Sequence, residues 1–366
     1  MGYLTEESIN TLKNHKYKGS PTTPLMKLLD KILWSPLSKF IPNSIAPNMI
    51  TLLSTISIML GAILSLFYND MQFGKNSPLW VWPVAGLCLW LYDTLDNLDG
   101  LHARRTGQGS PLGQLMDHGL DSSFNTFAVS FLIFQCVGLH GTSVWIPVIN
   151  ISVQSIFFYA AWEENYVGSL RINLGSVGVD EFAYIHILLF VITYFVGYDF
   201  FETELFSGFP IKNFCGLYIC FIFLYSAICY TAKTLKFTKS LAPLLKWIPM
   251  FQVYIGTALI YQTVAYSKYT LLFIIDQSTL FGVLSVWMII CNVSKVNFSS
   301  FRIDTSLYLL YAILVYSGID FFNQFEVHLV VTFAFVIYIC YFFSSLVLEI
   351  ANYLDIPVFT VKQKKS

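Results

Sequence analysis

LWVWPVAGLCLWLYDTLDNL, residues 79–98, decides the fold class. From Leu79 to Tyr92 the run carries no charge, and it closes on two carboxylates, Asp93 and Asp96. About 20 mostly apolar residues are what a helix needs to cross a bilayer. The next stretch, DGLHARRTGQGSPLGQLMDHGLD (residues 99–121), gathers three more aspartates and two arginines. From Ser122 to Leu139 the chain is mostly apolar again.

Working outward, similar apolar runs recur at 49–68, 113–139, 143–162, 182–198, 214–232, 247–266, 270–291, 306–319 and 327–352. With 79–98 they predict an all-α integral membrane protein of about ten transmembrane helices. Composition agrees: 55% of the 366 residues are hydrophobic and 12% charged. Soluble domains carry about 25% charged residues, so this chain cannot cover a water-facing surface. Disorder needs low hydrophobicity and is excluded. A net charge of −1 supplies no global field for a nucleic-acid partner. The seven cysteines lie in or beside apolar runs without a CxxC pair, and behave as small hydrophobes.

Lysine and arginine set orientation. With the N-terminus cytoplasmic, 18 of the 21 basic residues fall on the cytoplasmic side, leaving Lys75, Lys212 and Lys268 opposite. Both termini then face the cytoplasm. Residues 24–40, PLMKLLDKILWSPLSKF, space Leu25, Leu28, Leu29, Ile32 and Leu33 at helical intervals between Lys27, Asp30 and Lys31. This pattern predicts an N-terminal interfacial amphipathic helix that Pro36 ends or kinks. The expected organisation is a cytoplasmic segment over 1–45, catalytic helices over 46–200, further transmembrane helices over 201–352, and a basic tail over 353–366.

Asp96 and Asp99 are spaced i,i+3; Asp117 and Asp121 are i,i+4. Each pair projects from one helix face. Four unpaired carboxylates in the bilayer would cost on the order of 10 kcal/mol, less near the interface. A bound cation is therefore expected. An all-oxygen donor set suits hard divalent ions, two Mg²⁺ or Mn²⁺. Gly100, Ala103, Gly107, Gly109 and Gly113 leave room for close backbone approach, and Arg104 and Arg105 can pair with phosphate. Together they point to a diphosphate substrate.

These residues carry a resemblance. Asp96-x2-Asp99-Gly100-x2-Ala103-Arg104-x8-Gly113-x3-Asp117-x3-Asp121 resembles, at every fixed position, the signature of the CDP-alcohol phosphotransferases. Asn14–Gly19, Ala46–Leu52, residues 103–106 (ARRT), 110–113 (SPLG) and Trp162-Glu163-Glu164 are similar to the eukaryotic choline/ethanolaminephosphotransferase branch. The similarity covers about residues 14–165. It implies transfer of phosphocholine or phosphoethanolamine from CDP-choline or CDP-ethanolamine to diacylglycerol, with release of CMP. It also implies Mg²⁺ held by Asp96, Asp99, Asp117 and Asp121, with Gly100, Ala103, Arg104 and Gly113 around the CMP moiety. Asn48 and Thr51 are expected on the nucleotide side. The resemblance favours a homodimer in the endoplasmic reticulum or Golgi membrane. Lys362–Ser366 is consistent with a retrieval signal or a lipid-binding tail.

Asp121 is the traditional base of such a site. His118, i,i+3 from it, has an intrinsic pKa better matched to neutral pH and is the expected proton acceptor. His102 is a candidate phosphate contact. Trp162, Glu163 and Glu164 are candidates for reading the cationic head group. At 175–181 the chain departs from the branch: Gly175-Ser176-Val177-Gly178-Val179-Asp180-Glu181 lacks the usual proline, and its acid is recovered only at Asp180 or Glu181. The competing readings are another synthase of the family, such as an inositol-type phospholipid synthase, a transporter with an intramembrane cation site, and an inactive scaffold.

Overall fold

Pro47 has no backbone N–H to lose and its φ is preset for a helix, so it opens one naturally. In the computed structural model, which describes residues 3–12, 23–69, 71–174 and 178–361, it starts α4 (Pro47–Tyr68). Ahead of it come α1 (Glu6–Leu12), α2 (Pro24–Leu29) and α3 (Ser35–Ser38). Asn14–Gly19, Gly175–Val177 and Lys362–Ser366 lie outside the described residues.

A π-helical turn, Asp30–Trp34, joins α2 to α3 without a break. The helix therefore continues past Pro36 to Ser38 instead of ending there. The wider turn immediately before the proline loosens the crowding that its ring imposes on the preceding turn. Leu29 and Trp34 are buried with Ile50 and Leu98, while Leu28 and Ile32 stay exposed beside Lys27 and Lys31.

The long helices follow: α5 (Val81–Thr106), α6 (Pro111–Leu120), α7 (Thr126–Cys136), α8 (Trp145–Val167) and α9 (Val179–Val196). After α10 (Asp199–Glu202), a hairpin of β1 (Glu204–Phe206) and β2 (Phe209–Pro210) leads into α11 (Ile211–Thr238). Then come α12 (Ile248–Tyr261), α13 (Val264–Ser294), α14 (Ile303–Tyr316) and α15 (Phe325–Leu354). Each apolar run seen in the sequence falls on a helical segment. Among the described residues, seven segments are long and apolar enough to cross a membrane: α4, α8, α9, α11, residues 242–261, α13 and α15. Apart from that short hairpin the regular structure is helical, and the chain is an integral membrane protein. Three runs fall outside this set for physical reasons. α5 carries the aspartates and arginines, and residues 111–136 carry Asp117, His118 and Asp121 and pass through a π-turn at Asp121–Asn125. α14 has 14 residues, a rise of about 21 Å against the ~30 Å hydrocarbon core.

Burial separates an axis from a periphery. The apolar window of α13 is 89% buried, those of α9 and α11 only 22%. One core cluster unites residues of α6, α8, α12, α13, α14 and α15; another unites those of α4, α5, α7, α8, α9 and α11. Phe195, Phe221, Ile228, Val330 and Ile337 are exposed on the outer helices. Such continuous apolar surface suits lipid rather than water.

Candidate active site

The spacing of aspartates on α5 is decisive locally. Asp93, Asp96 and Asp99 recur every three residues and so stack along one helix face. α5 stops where Gly107 takes a left-handed conformation (φ 68°), and α6 starts where the Ser110 Oγ accepts the Gly113 N–H at 3.1 Å with Pro111 next in line. This short connection turns the chain back so that Asp117 faces the α5 acids. Ligand atoms of Asp96, Asp99 and Asp117 lie within 4.8 Å of one another, as do those of Asp117, His118 and Asp121. Asp117 belongs to both groups.

Neighbouring side chains orient these carboxylates. Thr51 donates its hydroxyl to Asp99 Oδ2. Tyr92 and Asn125 both donate to Asp121 Oδ1 at 2.8 Å. Asp96 Oδ1 is buried without a hydrogen-bond partner. His118 Nδ1 stands 3.7 Å from Asp117 Oδ2. Among the described residues, no lysine or arginine forms an ion pair with the four aspartates. Four converging carboxylates, one with an orphaned buried oxygen, fit a divalent cation of the hard, oxygen-preferring kind.

The acids line a cavity of about 1180 Å³ between α4, α5, α6, α8, α9 and α11. Asn48, Gly100, Ala103, Arg104 and Gly113 line it too, so the expected nucleotide-side residues and the carboxylates share one space. Arg104 is exposed at the end of α5. Asn48 Nδ2 donates to the Val358 carbonyl at 2.9 Å, which brings the segment after α15 onto the same mouth.

Several expectations need correction. Trp162, Glu163 and Glu164 do not line this cavity. Trp162 is buried against Trp247 and donates its indole N–H to the Pro243 carbonyl at 3.1 Å. Glu163 is 0% exposed and holds Arg171 through two hydrogen bonds (2.6 and 3.1 Å) and Lys233 at 3.0 Å. Glu164 accepts from Asn292 at 2.9 Å. The physical reason is charge compensation across helices: a buried carboxylate needs cations, and the 171 loop and α11 deliver them. His102 is fully buried with Nε2 2.9 Å from the Ile45 carbonyl. A carbonyl only accepts, so Nε2 carries the proton and Nδ1 accepts from Arg105 at 2.9 Å. Arg105 also donates to the Ile41 carbonyl. His102 and Arg105 therefore anchor the chain before α4 and are not free for phosphate. Thr51 sits on the carboxylate cluster through Asp99.

Tyr92, Asn125 and Asn97 escaped the sequence reading as site residues, and Asp180 entered it only as one of two positions for the acid of the 175–181 run. Tyr92 had one usable signal: it lies four residues before Asp96, on the same face of α5.

A model of the family described as CDP-alcohol phosphatidyltransferase matches residues 44–254. An uncharacterized class-I member of that family, protein 3 from Dictyostelium discoideum, is 40% identical over 181 residues, 49% of this chain and 44% of that protein. Choline/ethanolaminephosphotransferase 1 of Saccharomyces cerevisiae is 32% identical over 174 residues, 47% of this chain and 44% of that protein. In both matches the chain spans under half the relative's length. Cholinephosphotransferase 1 of Danio rerio is 26% identical over 379 residues, covering 98% of this chain and 95% of the relative. The matched region holds all four clustered aspartates and covers well over half of the 366 residues, so the chain belongs to the CDP-alcohol phosphatidyltransferase family.

Proposed function

We propose that this protein transfers phosphocholine, phosphoethanolamine or both from a CDP-alcohol to diacylglycerol, giving phosphatidylcholine or phosphatidylethanolamine and CMP. The observation that carries this reading is the convergence of Asp96, Asp99, Asp117 and Asp121 in a cavity shared with Arg104 and the glycines. The names of the yeast and zebrafish relatives favour the aminoalcohol donors.

Asp96, Asp99, Asp117 and Asp121 are the residues that would hold two Mg²⁺ ions. Bound there, such ions neutralise the diphosphate and stabilise the leaving CMP. Thr51, Tyr92 and Asn125 fix the carboxylates, so little reorganisation is needed as charge develops. Gly100, Ala103, Gly113 and Asn48 surround the nucleotide, with Arg104 beside its phosphates. The acceptor hydroxyl oxygen bonds to the head-group phosphorus. The phosphorus–oxygen bond to CMP breaks, and CMP leaves with the electron pair. His118 takes the hydroxyl proton. Asp121 is less suited, because its Oδ1 already accepts two hydrogen bonds.

The basic asymmetry of the sequence supports an active site and both termini facing the cytoplasm, and we assign the protein to the endoplasmic reticulum membrane as a homodimer. The test is direct. Purified protein in detergent is given Mg²⁺, diacylglycerol and labelled CDP-choline or CDP-ethanolamine, with CDP-diacylglycerol plus inositol as a control. CMP release with an aminoalcohol donor is the expected result. Release with neither rejects the reading, and turnover only in the inositol arm points to the inositol-type alternative.

A further inference from the structure

One turn along α5 from the metal cluster, the same cavity holds a second acidic pair. Asp93, on α5, and Asp180, at the start of α9, both line it. They are 4% and 5% exposed. Asn97 ties the two together: its Nδ2 donates to the Asp93 main-chain carbonyl at 2.9 Å and to Asp180 Oδ1 at 2.9 Å. Asp93 Oδ2 is buried with no hydrogen-bond partner. No ion pair reaches either aspartate among the described residues. The adjacent Glu181 differs: its two oxygens are filled by the Thr23 hydroxyl and, at 2.7 Å, the Gly178 N–H.

We infer that Asp93 and Asp180 form the subsite for the cationic aminoalcohol end of the CDP-linked donor. The inference rests on the transferase reading above and replaces Glu163 and Glu164 as readers of the head group. Two buried carboxyl groups lining one cavity without a counter-ion must be met by a proton or a cation, and the orphaned Asp93 oxygen favours a cationic visitor. The geometry also suits the substrate. Asp93 lies about 4.5 Å along the helix axis from Asp96, a spacing that a two-carbon linker between phosphate and nitrogen can bridge. A donor whose diphosphate lies at Asp96 and Asp99 then has its nucleotide toward Arg104 and its ammonium toward Asp93. Phe182 and Tyr218, with ring centroids 6.5 Å apart, wall the same cavity and offer apolar surface to N-methyl groups.

The test compares CDP-choline with its uncharged isostere, CDP-3,3-dimethylbutanol, as displacers of labelled CMP from the wild-type protein with Mg²⁺. The carbon analogue is expected to bind at least about tenfold more weakly. Equal displacement overturns the inference without reference to turnover. In parallel, Asp93→Asn and Asp180→Asn should raise KM for CDP-choline by a similar factor while the affinity for CMP, which lacks the cation, is kept. Unchanged KM in both variants also overturns it. Failure of the transferase reading looks different: no CMP is released from either donor by the wild-type protein.

Discussion

Asp121 Oδ1 accepts hydrogen bonds from Tyr92 and Asn125, both at 2.8 Å, so one carboxylate of the cluster is held from two directions. Losing such a supporting bond typically costs about 10–100-fold in metal affinity or activity. Tyr92→Phe should therefore need more Mg²⁺ for half-maximal CMP release, read by metal titration. For His118 the proposed role is to take the acceptor's proton. His118→Ala should lower kcat by about 10²–10⁴ while KM for the CDP-alcohol is retained, as steady-state kinetics will show. Full activity in that variant rejects His118 as the base. The aspartates themselves are legible from spacing, because i,i+3 and i,i+4 acids on an apolar helix have no inexpensive structural explanation. Their partners are not. Thr51 and Tyr92 are ordinary residues until helix packing sets them against Asp99 and Asp121.

At the scale of elements, the clearest lesson comes from the C-terminal end of α8. Glu163 and Glu164 read as head-group ligands because a helix end near a membrane surface is usually wet. In the fold, Glu163 ties α8 to Arg171 and to Lys233 of α11. Removing one partner of a buried ion pair costs about 3–5 kcal/mol, so Glu163→Ala should lower the thermal midpoint in detergent. The ratio of choline to ethanolamine use should not move. The π-turn carrying Asp121 is a second case. A Cβ placed on Gly282 of α13 would come within 2.8 Å of Ser123 Cβ and 3.1 Å of Ser123 Cα, inside that turn. The turn's backbone must shift to admit it, and overpacking of this kind costs about 1–3 kcal/mol. Gly282→Ala is expected to lower both thermal stability and CMP release, measured on the same preparation. No hydropathy pattern shows that α13 must approach the Asp121 turn so closely.

Across the whole molecule, burial is graded between helices, and α9 and α11 wall the cavity on one face while turning the other outward. α13 is enclosed, whereas α9, α11 and α15 turn apolar rows outward. Phe221, near the middle of α11, is 69% exposed. Phe221→Lys should cost about 2.5–3.5 kcal/mol at such a depth and reduce the protein retained in carbonate-washed membranes. Phe221→Leu should leave that fraction unchanged.

The amino-acid sequence by itself determined the helical membrane class, the positions of the apolar segments, the four clustered aspartates and their small-residue surroundings. All of these depend on composition or short-range period, which the chain carries locally. Only the tertiary structure decided which acids meet an open cavity and which are neutralised. Asp93 and Asp180 lie 87 positions apart in sequence yet line the same cavity, joined through Asn97. Glu163 lies 70 positions from Lys233 and is consumed by it. The difference is physical: a buried charge takes its role from the groups that packing brings to it, and those groups come from distant helices.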